Sequence, residues 1–257
     1  MKENPAILKA DALSKLSAYI DSLDPKRAQI MSYWIRDYVR FLEKEANFDP
    51  QKLVRYKRGA IVKAHLGYRI GSEEGGLHYA VIIDNNNAQK SQTVTIIPLT
   101  SVKPTTDLNR LHPSKLYIGD EIYRSLNSKL DSAIRDADHV HQMLWEKLSI
   151  LESDLKEIKS STPDTKSKIA AIRVSIDILR KEIEVWEKKK QNARKMEDEI
   201  SRMKRGSIAL VSQITTISKI RIYDPLYPSD SLSNIRISDD SLDQIDKKII
   251  AMFTKNK

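Results

Sequence analysis

Two apolar seams joined by a proline-bearing turn constrain the middle of this chain more than any other feature. Leu130, Ile134, Ala137, His141, Leu144, Leu148, Leu151, Leu155 and Ile158 alternate four and three residues apart, the spacing that keeps one stripe of a helix facing a partner helix. Ser160-Ser-Thr-Pro-Asp164 supplies a turn, with Thr162 or Asp164 able to cap the helix that follows. Ile169, Ile172, Ile176, Leu179, Ile183, Trp186, Lys190, Ala193 and Ile200 make a second seam. Folding back sets Ile158 against Ile169, Leu151 against Ile176 and His141 against Trp186. Residues 124–205 are therefore expected to form an antiparallel coiled-coil hairpin, each arm on the order of 45 Å long at 1.5 Å per residue. His141 reads as a polar seam residue that sets register beside Trp186. Two apart on a helix, His139 and His141 face different ways, and with His112 they make no metal constellation.

Composition narrows the function classes. The 257 residues are 40% hydrophobic, enough for one large core or two modest ones. A formal charge of +9 and a pI near 9.4 suit a polyanionic partner such as RNA or an acidic protein segment; solvated helix faces such as Lys188-Lys189-Lys190 produce the same balance. No cysteine is present, so disulfides and thiolate metal sites are excluded. No apolar run approaches the roughly 20 residues that span a bilayer. Met1-Lys-Glu-Asn-Pro lacks the apolar stretch of a secretory signal. A cytoplasmic protein without membrane contact is expected, and no nucleotide-binding, zinc or Ser-His-Asp pattern suggests a cofactor.

The flanks of the hairpin differ in kind. In residues 1–50, Ala12, Leu13, Leu16, Tyr19, Ile20 and Leu23 keep helical spacing. Asp24-Pro25 breaks that run and starts a second helix carrying Tyr33, Trp34, Tyr38, Phe41 and Leu42. Two helices alone bury little, so this pair packs on the strands that follow, on another copy, or on a partner. In residues 51–123, Ile61-Val62, Tyr79 to Ile83, Val94 to Ile97 and Leu116 to Ile118 are short β-rich runs bounded by Gly, Pro, Asn and Asp. Residues 206–257 return to strand over Ser207 to Arg221. They close with an amphipathic helix from Asp239 to Ile250, acids first and lysines later. The class is α+β.

One stretch carries more than fold. Arg58 to Ile83 reads as strand, glycine-hinged loop and strand, followed by Thr93 to Ser101 as another strand. With the run Gly71-Ser72-Glu73-Glu74-Gly75-Gly76 and the strand end Pro98-Leu99-Thr100-Ser101, it resembles the core of the MazF/PemK/Kid toxins, small β-barrel endoribonucleases of toxin–antitoxin pairs. Gln213-Ile-Thr-Thr-Ile217 followed by a C-terminal helix is similar to the family's ending. The resemblance thus covers about 51–123 and 206–252, split by the insert. It implies an SH3-like barrel of the MazF/PemK type, interrupted by the coiled-coil hairpin and preceded by the helical hairpin.

The resemblance also implies a chemistry: metal-independent cleavage of single-stranded RNA by attack of a ribose 2′-OH on the adjacent phosphate, with no cofactor. Such cleavage needs a base, an acid and a donor or cation at the phosphate, and RNA alone offers the nucleophile. Family pattern places a catalytic arginine two residues after the glycine pair and a threonine at the end of the Pro-Leu-Thr strand. Thr100 matches; the arginine position holds His78, which serves either as base or acid or as a scaffold residue. Ser72, Glu74, Gly75, Gly76, Ser101, Gln213, Arg69 and His65 are the substrate-binding candidates, His65 and Gln213 having structural alternatives. Thr215 stands where relatives carry a second arginine, leaving Arg55, Lys57, Arg58, Lys63 and Arg69 to compensate. Expected partners are single-stranded RNA, a cognate antitoxin and a second copy of the chain. The alternative is an inactive barrel that binds RNA or protein and uses the arm for assembly.

Overall fold

Short polar caps and prolines set the N-terminal helices. In the computed structural model, which describes residues 4–157 and 163–255, α1 spans Pro5–Asp21 and α2 spans Pro25–Glu45. Asn4 accepts from the Ala6 N–H at 3.0 Å and Asp24 from the Arg27 N–H at 3.0 Å, with proline at the first turn of each helix, where its missing N–H costs nothing. No residue of α1 is buried. α2 takes the first of the three destinations open to the pair: it packs on the sheet-rich body. Phe41 sets its ring edge-on to His65 at 5.9 Å, and the Tyr223 hydroxyl donates to Asp37 at 3.3 Å.

Seven strands form one antiparallel sheet: β1 (Ile61–His65), β2 (Leu77–Ile82), β3 (Thr93–Ser101), β4 (Lys115–Tyr117), β5 (Ser207–Leu210), β6 (Thr215–Ser218) and β7 (Ile222–Asp224). Their order is β4-β5-β3-β2-β1-β7, with β6 paired to β3 off that path. β3 is long enough to serve three neighbours. Its first half pairs with β2 and β6, and Leu99 to Ser101 pair with β5. Segments on either side of the helical hairpin thus share one sheet. The run Ser207 to Arg221, expected as strand throughout, is broken by 3-10 turns at Val211–Gln213 and Lys219–Arg221. These turns carry it from the end of β3 to its beginning, along the side opposite β2, and then towards β1. Periodicity could not reveal the breaks, because no Gly or Pro marks them.

The central strands are covered on both faces. Ala80, Ile82, Val94 and Ile96 meet Val62, Ala64, Ile217 and Ile222 in one core. Val81, Ile97 and Leu99 meet Ile61, Ala209, Leu232, Ile235, Leu242 and Ile245 in the other, under α5 (Asp239–Phe253).

The helical hairpin is α3 (Glu121–Glu157) and α4 (Pro163–Arg202). Ala137, Leu144, Ile172, Leu179 and Ala193 are buried along its seam, and His141 stacks on Trp186 with centroids 5.1 Å apart and planes 16° from parallel. Ile158 and Thr162, and the side chain of Asp164, lie outside the described residues. Its root belongs to the body: Ile122, Leu126 and Ile200 enter the second core, and Glu121 accepts from the Ser238 N–H at 2.8 Å and the Ser241 hydroxyl at 2.6 Å, capping α5. Among the described residues no helix is long and apolar enough to cross a membrane.

Candidate functional site

The loop between β1 and β2 has a closed neck. Beyond the paired strands, the Leu66 N–H donates to the Gly76 carbonyl at 2.8 Å and the Gly76 N–H to the Gly67 carbonyl at 2.7 Å. Gly75 lies so close to the opposing backbone that a Cβ there would stand 2.7 Å from the Arg69 nitrogen, a contact no side chain tolerates. Gln213 holds the loop from the far side: its Oε1 accepts from the Glu74 N–H at 2.6 Å and its Nε2 donates to the Ser72 carbonyl at 3.3 Å. Gln213 comes from the 3-10 turn after β5, so the two segments flanking the helical hairpin meet here.

His78 stands at the start of β2, half-buried. Its Nε2 is 3.0 Å from the Glu74 carboxylate and its Nδ1 is 3.3 Å from the Leu99 carbonyl. An imidazolium donates to both acceptors, a neutral ring to one at a time. Ala80 pairs with Pro98 in the β2–β3 ladder; extending that register by two residues sets His78 across from Thr100. Strand alternation puts both on the face of Ala80, Ile82 and Ile96. The Thr100 hydroxyl makes no hydrogen bond among the described residues, so it is available to a ligand. Ser101, one residue on, falls on the opposite face and pairs with Ser207; it does not join His78.

His65 ends β1, 8% exposed. Its Nδ1 accepts from the Gly67 N–H at 3.1 Å, and its ring lies against Phe41 and Tyr223. Burial lowers its pKa, with Asp37 opposing and Arg221 reinforcing that shift. Arg58 and Lys63, expected to compensate for missing cations, are committed elsewhere: Arg58 binds the Ile83 carbonyl and Asp246, and Lys63 binds Glu199 at 2.6 Å.

Between loop and helix lies a chamber of about 600 Å³, lined on one side by Gly67 to Arg69, Glu74 to His78 and His65, and on the other by Arg27, Ile30, Tyr33 and Trp34 of α2. It gathers His78, Glu74, Gly75, Gly76, Arg69 and His65. Ser72, Ser101, Thr100 and Gln213 are outside its lining. Two things escaped the reading from sequence. Glu74 touches the histidine itself, and α2 supplies a wall. A carboxylate four residues before a histidine signals contact only on a helix, and this pair sits on a loop and a strand. The aromatics of α2 repeat at helical spacing, which reads as packing whatever they face. Among the described residues no group of three or more His, Asp or Glu side chains is placed to hold a metal ion.

Residues 57–135 match the family described as PemK-like, MazF-like toxin of type II toxin-antitoxin system. The family resemblance is borne out over that stretch, which holds β1 to β4 and the glycine loop. It stops within α3, before the Gln213 segment. No curated protein matches the chain.

Proposed function

We propose that the chain is a toxin-type endoribonuclease that cuts single-stranded RNA without a metal ion. The observation that carries this reading is the Glu74–His78 pair, set in register with Thr100 beside a glycine loop, within the stretch similar to PemK and MazF toxins. In the reaction the ribose 2′ oxygen bonds to phosphorus as the bond to the 5′ oxygen breaks, leaving a 2′,3′-cyclic phosphate. A proton leaves the 2′-OH for a base and another reaches the departing 5′ oxygen. His78 takes the proton from the 2′-OH, water supplies the proton that reaches the departing 5′ oxygen, Glu74 fixes the His78 ring, and Thr100 with Arg69 donates to the phosphate oxygens. An antitoxin with an acidic segment would suit the +9 charge, and a second copy of the chain completes the expected assembly in the cytoplasm.

The test is incubation of the purified chain with mixed-sequence single-stranded RNA in EDTA. The wild type is expected to yield cyclic-phosphate ends, and His78→Ala and Thr100→Ala each to lower the rate by about 100-fold or more, the usual contribution of a proton carrier or charge stabiliser. The rival reading, an inactive binding barrel, draws on one observation: both ring nitrogens of His78 already have partners. RNA bound but never cut by the wild type would favour it.

A further inference from the structure

α2 meets the body unevenly. Met31 is its buried residue, and Asp37 and Phe41 contact Tyr223 and His65, whereas Arg27, Ile30, Tyr33 and Trp34 line the chamber opposite the loop, with the Trp34 ring edge close to Gly67. Neither core includes Ile30, Tyr33 or Trp34. Tyr33 is 49% exposed and Trp34 half-buried. Trp34 is backed by Tyr38, stacked at 5.5 Å and 14°, and faces Tyr68 of the loop at 6.4 Å and 50°. Three aromatic rings therefore line the same space as His78. Arg27 and Arg69 line it too, and neither has a carboxylate partner among the described residues. Aromatic rings interleaved with unpaired guanidinium groups are what an unstacked base and its phosphates require. A volume of about 600 Å³ lies within the range of small-ligand sites.

We propose that the first half of α2 builds a stacking subsite, in which Trp34 and Tyr33 hold one unpaired nucleobase of the RNA beside the scissile phosphate. This rests on the nuclease reading, which it deepens: the helical extension selects substrate, and Arg27 and Arg69 take the flanking phosphates.

The full-length chain is titrated, by fluorescence anisotropy, with a short single-stranded RNA made uncleavable by 2′-O-methylation and with versions abasic at each position in turn. One abasic position is expected to weaken wild-type binding by about fivefold or more, the low end of base–aromatic stacking. Trp34→Ala and Tyr33→Ala are each expected to weaken binding of the intact RNA and to flatten the response at that position, with Trp34→Phe restoring part of it. Melting temperature and circular dichroism identify any variant that has lost the fold, and the exposed Tyr33 gives an arm in which that loss is not expected. An abasic profile identical in wild type, Trp34→Ala and Tyr33→Ala overturns the subsite. If unmodified RNA is still cut, the nuclease reading survives that result, and the chamber is left to a protein segment. RNA neither bound nor cut by the wild type overturns both.

Discussion

In the proposed reaction His78 stands where the toxin pattern has a permanently charged fork, and the Glu74 carboxylate, 3.0 Å from its Nε2, is the group that would orient the ring. Removing the carboxylate's charge while keeping its shape tests this directly. Glu74→Gln is expected to lower the cleavage rate by about tenfold, within the range for an oriented proton carrier, while RNA affinity stays within about twofold. An equal fall in affinity would make Glu74 a binding residue instead. His65 yields a different prediction. Its folded pKa lies below the unfolded value, so the unfolded chain binds the proton more readily. The associated stability is full above the unfolded pKa of about 6.5 and is lost as pH falls below it. Thermal unfolding between pH 8 and pH 5 should show wild type losing stability faster than His65→Gln, by no more than about 1.4 kcal/mol per pH unit for one proton. Parallel curves would deny His65 that role. His78 and Thr100 were legible in the sequence as partners through the resemblance to the toxin family, whose pattern pairs the position after the glycine pair with the threonine that ends the Pro-Leu-Thr strand. Trp34 was not, because which face of α2 meets the body depends on contacts with distant parts of the chain, such as Phe41 on His65.

Among the elements, α3 is tied down by one lysine. Lys129 Nζ donates to the carbonyls of Asp230, Ser231 and Ser233 at 2.8, 3.0 and 2.8 Å, and burial lowers its pKa against the pull of Asp224 and Asp230. Those carbonyls belong to the segment that leads Leu232, Ile235 and Ile237 into the core. Lys129→Ala strands three acceptors, so a loss of about 2 kcal/mol is expected, read as a melting temperature lower by roughly 4–8 °C in a chain of this length. A shift near zero would mean that water replaces the ammonium without cost. The broken run from Ser207 to Asp224 is the corresponding lesson in legibility. β5, β6 and β7 look alike in composition, yet each pairs with a different part of the sheet. Only the positions of their partners dictate where the chain turns.

For the molecule as a whole, the helical hairpin has two parts. Its root is core, through Ile122, Leu126, Ile200 and the Glu199 carboxylate that receives Lys63 and the Tyr79 hydroxyl. Its distal part, with exposed Trp145, Ile150 and Val174, is held by contacts of α3 with α4 such as His141 on Trp186 and Lys147 on Glu182. Replacing residues 138–189 by a short Gly-Ser linker is expected to leave RNA cleavage and the far-ultraviolet signature of the sheet intact, because antiparallel helices about 8–10 Å apart are easily bridged. A truncated chain that no longer folds would make the distal arm part of the folding unit.

The helical hairpin, the caps of α1 and α2, the first four strands and the glycine loop follow from local rules: spacing of apolar positions, capping residues and turn residues. Those rules act over a few residues, so the order of amino acids suffices to write them down. Three matters were settled only when the chain closed on itself. Gln213 came to hold a loop more than 130 positions away, Glu74 came to lie on His78, and α2 came to wall the chamber. The first and last are long-range contacts, and the second, four residues apart, depends on a loop that Gln213 holds from the far side; each follows from the closing of the whole fold, which no window of sequence contains.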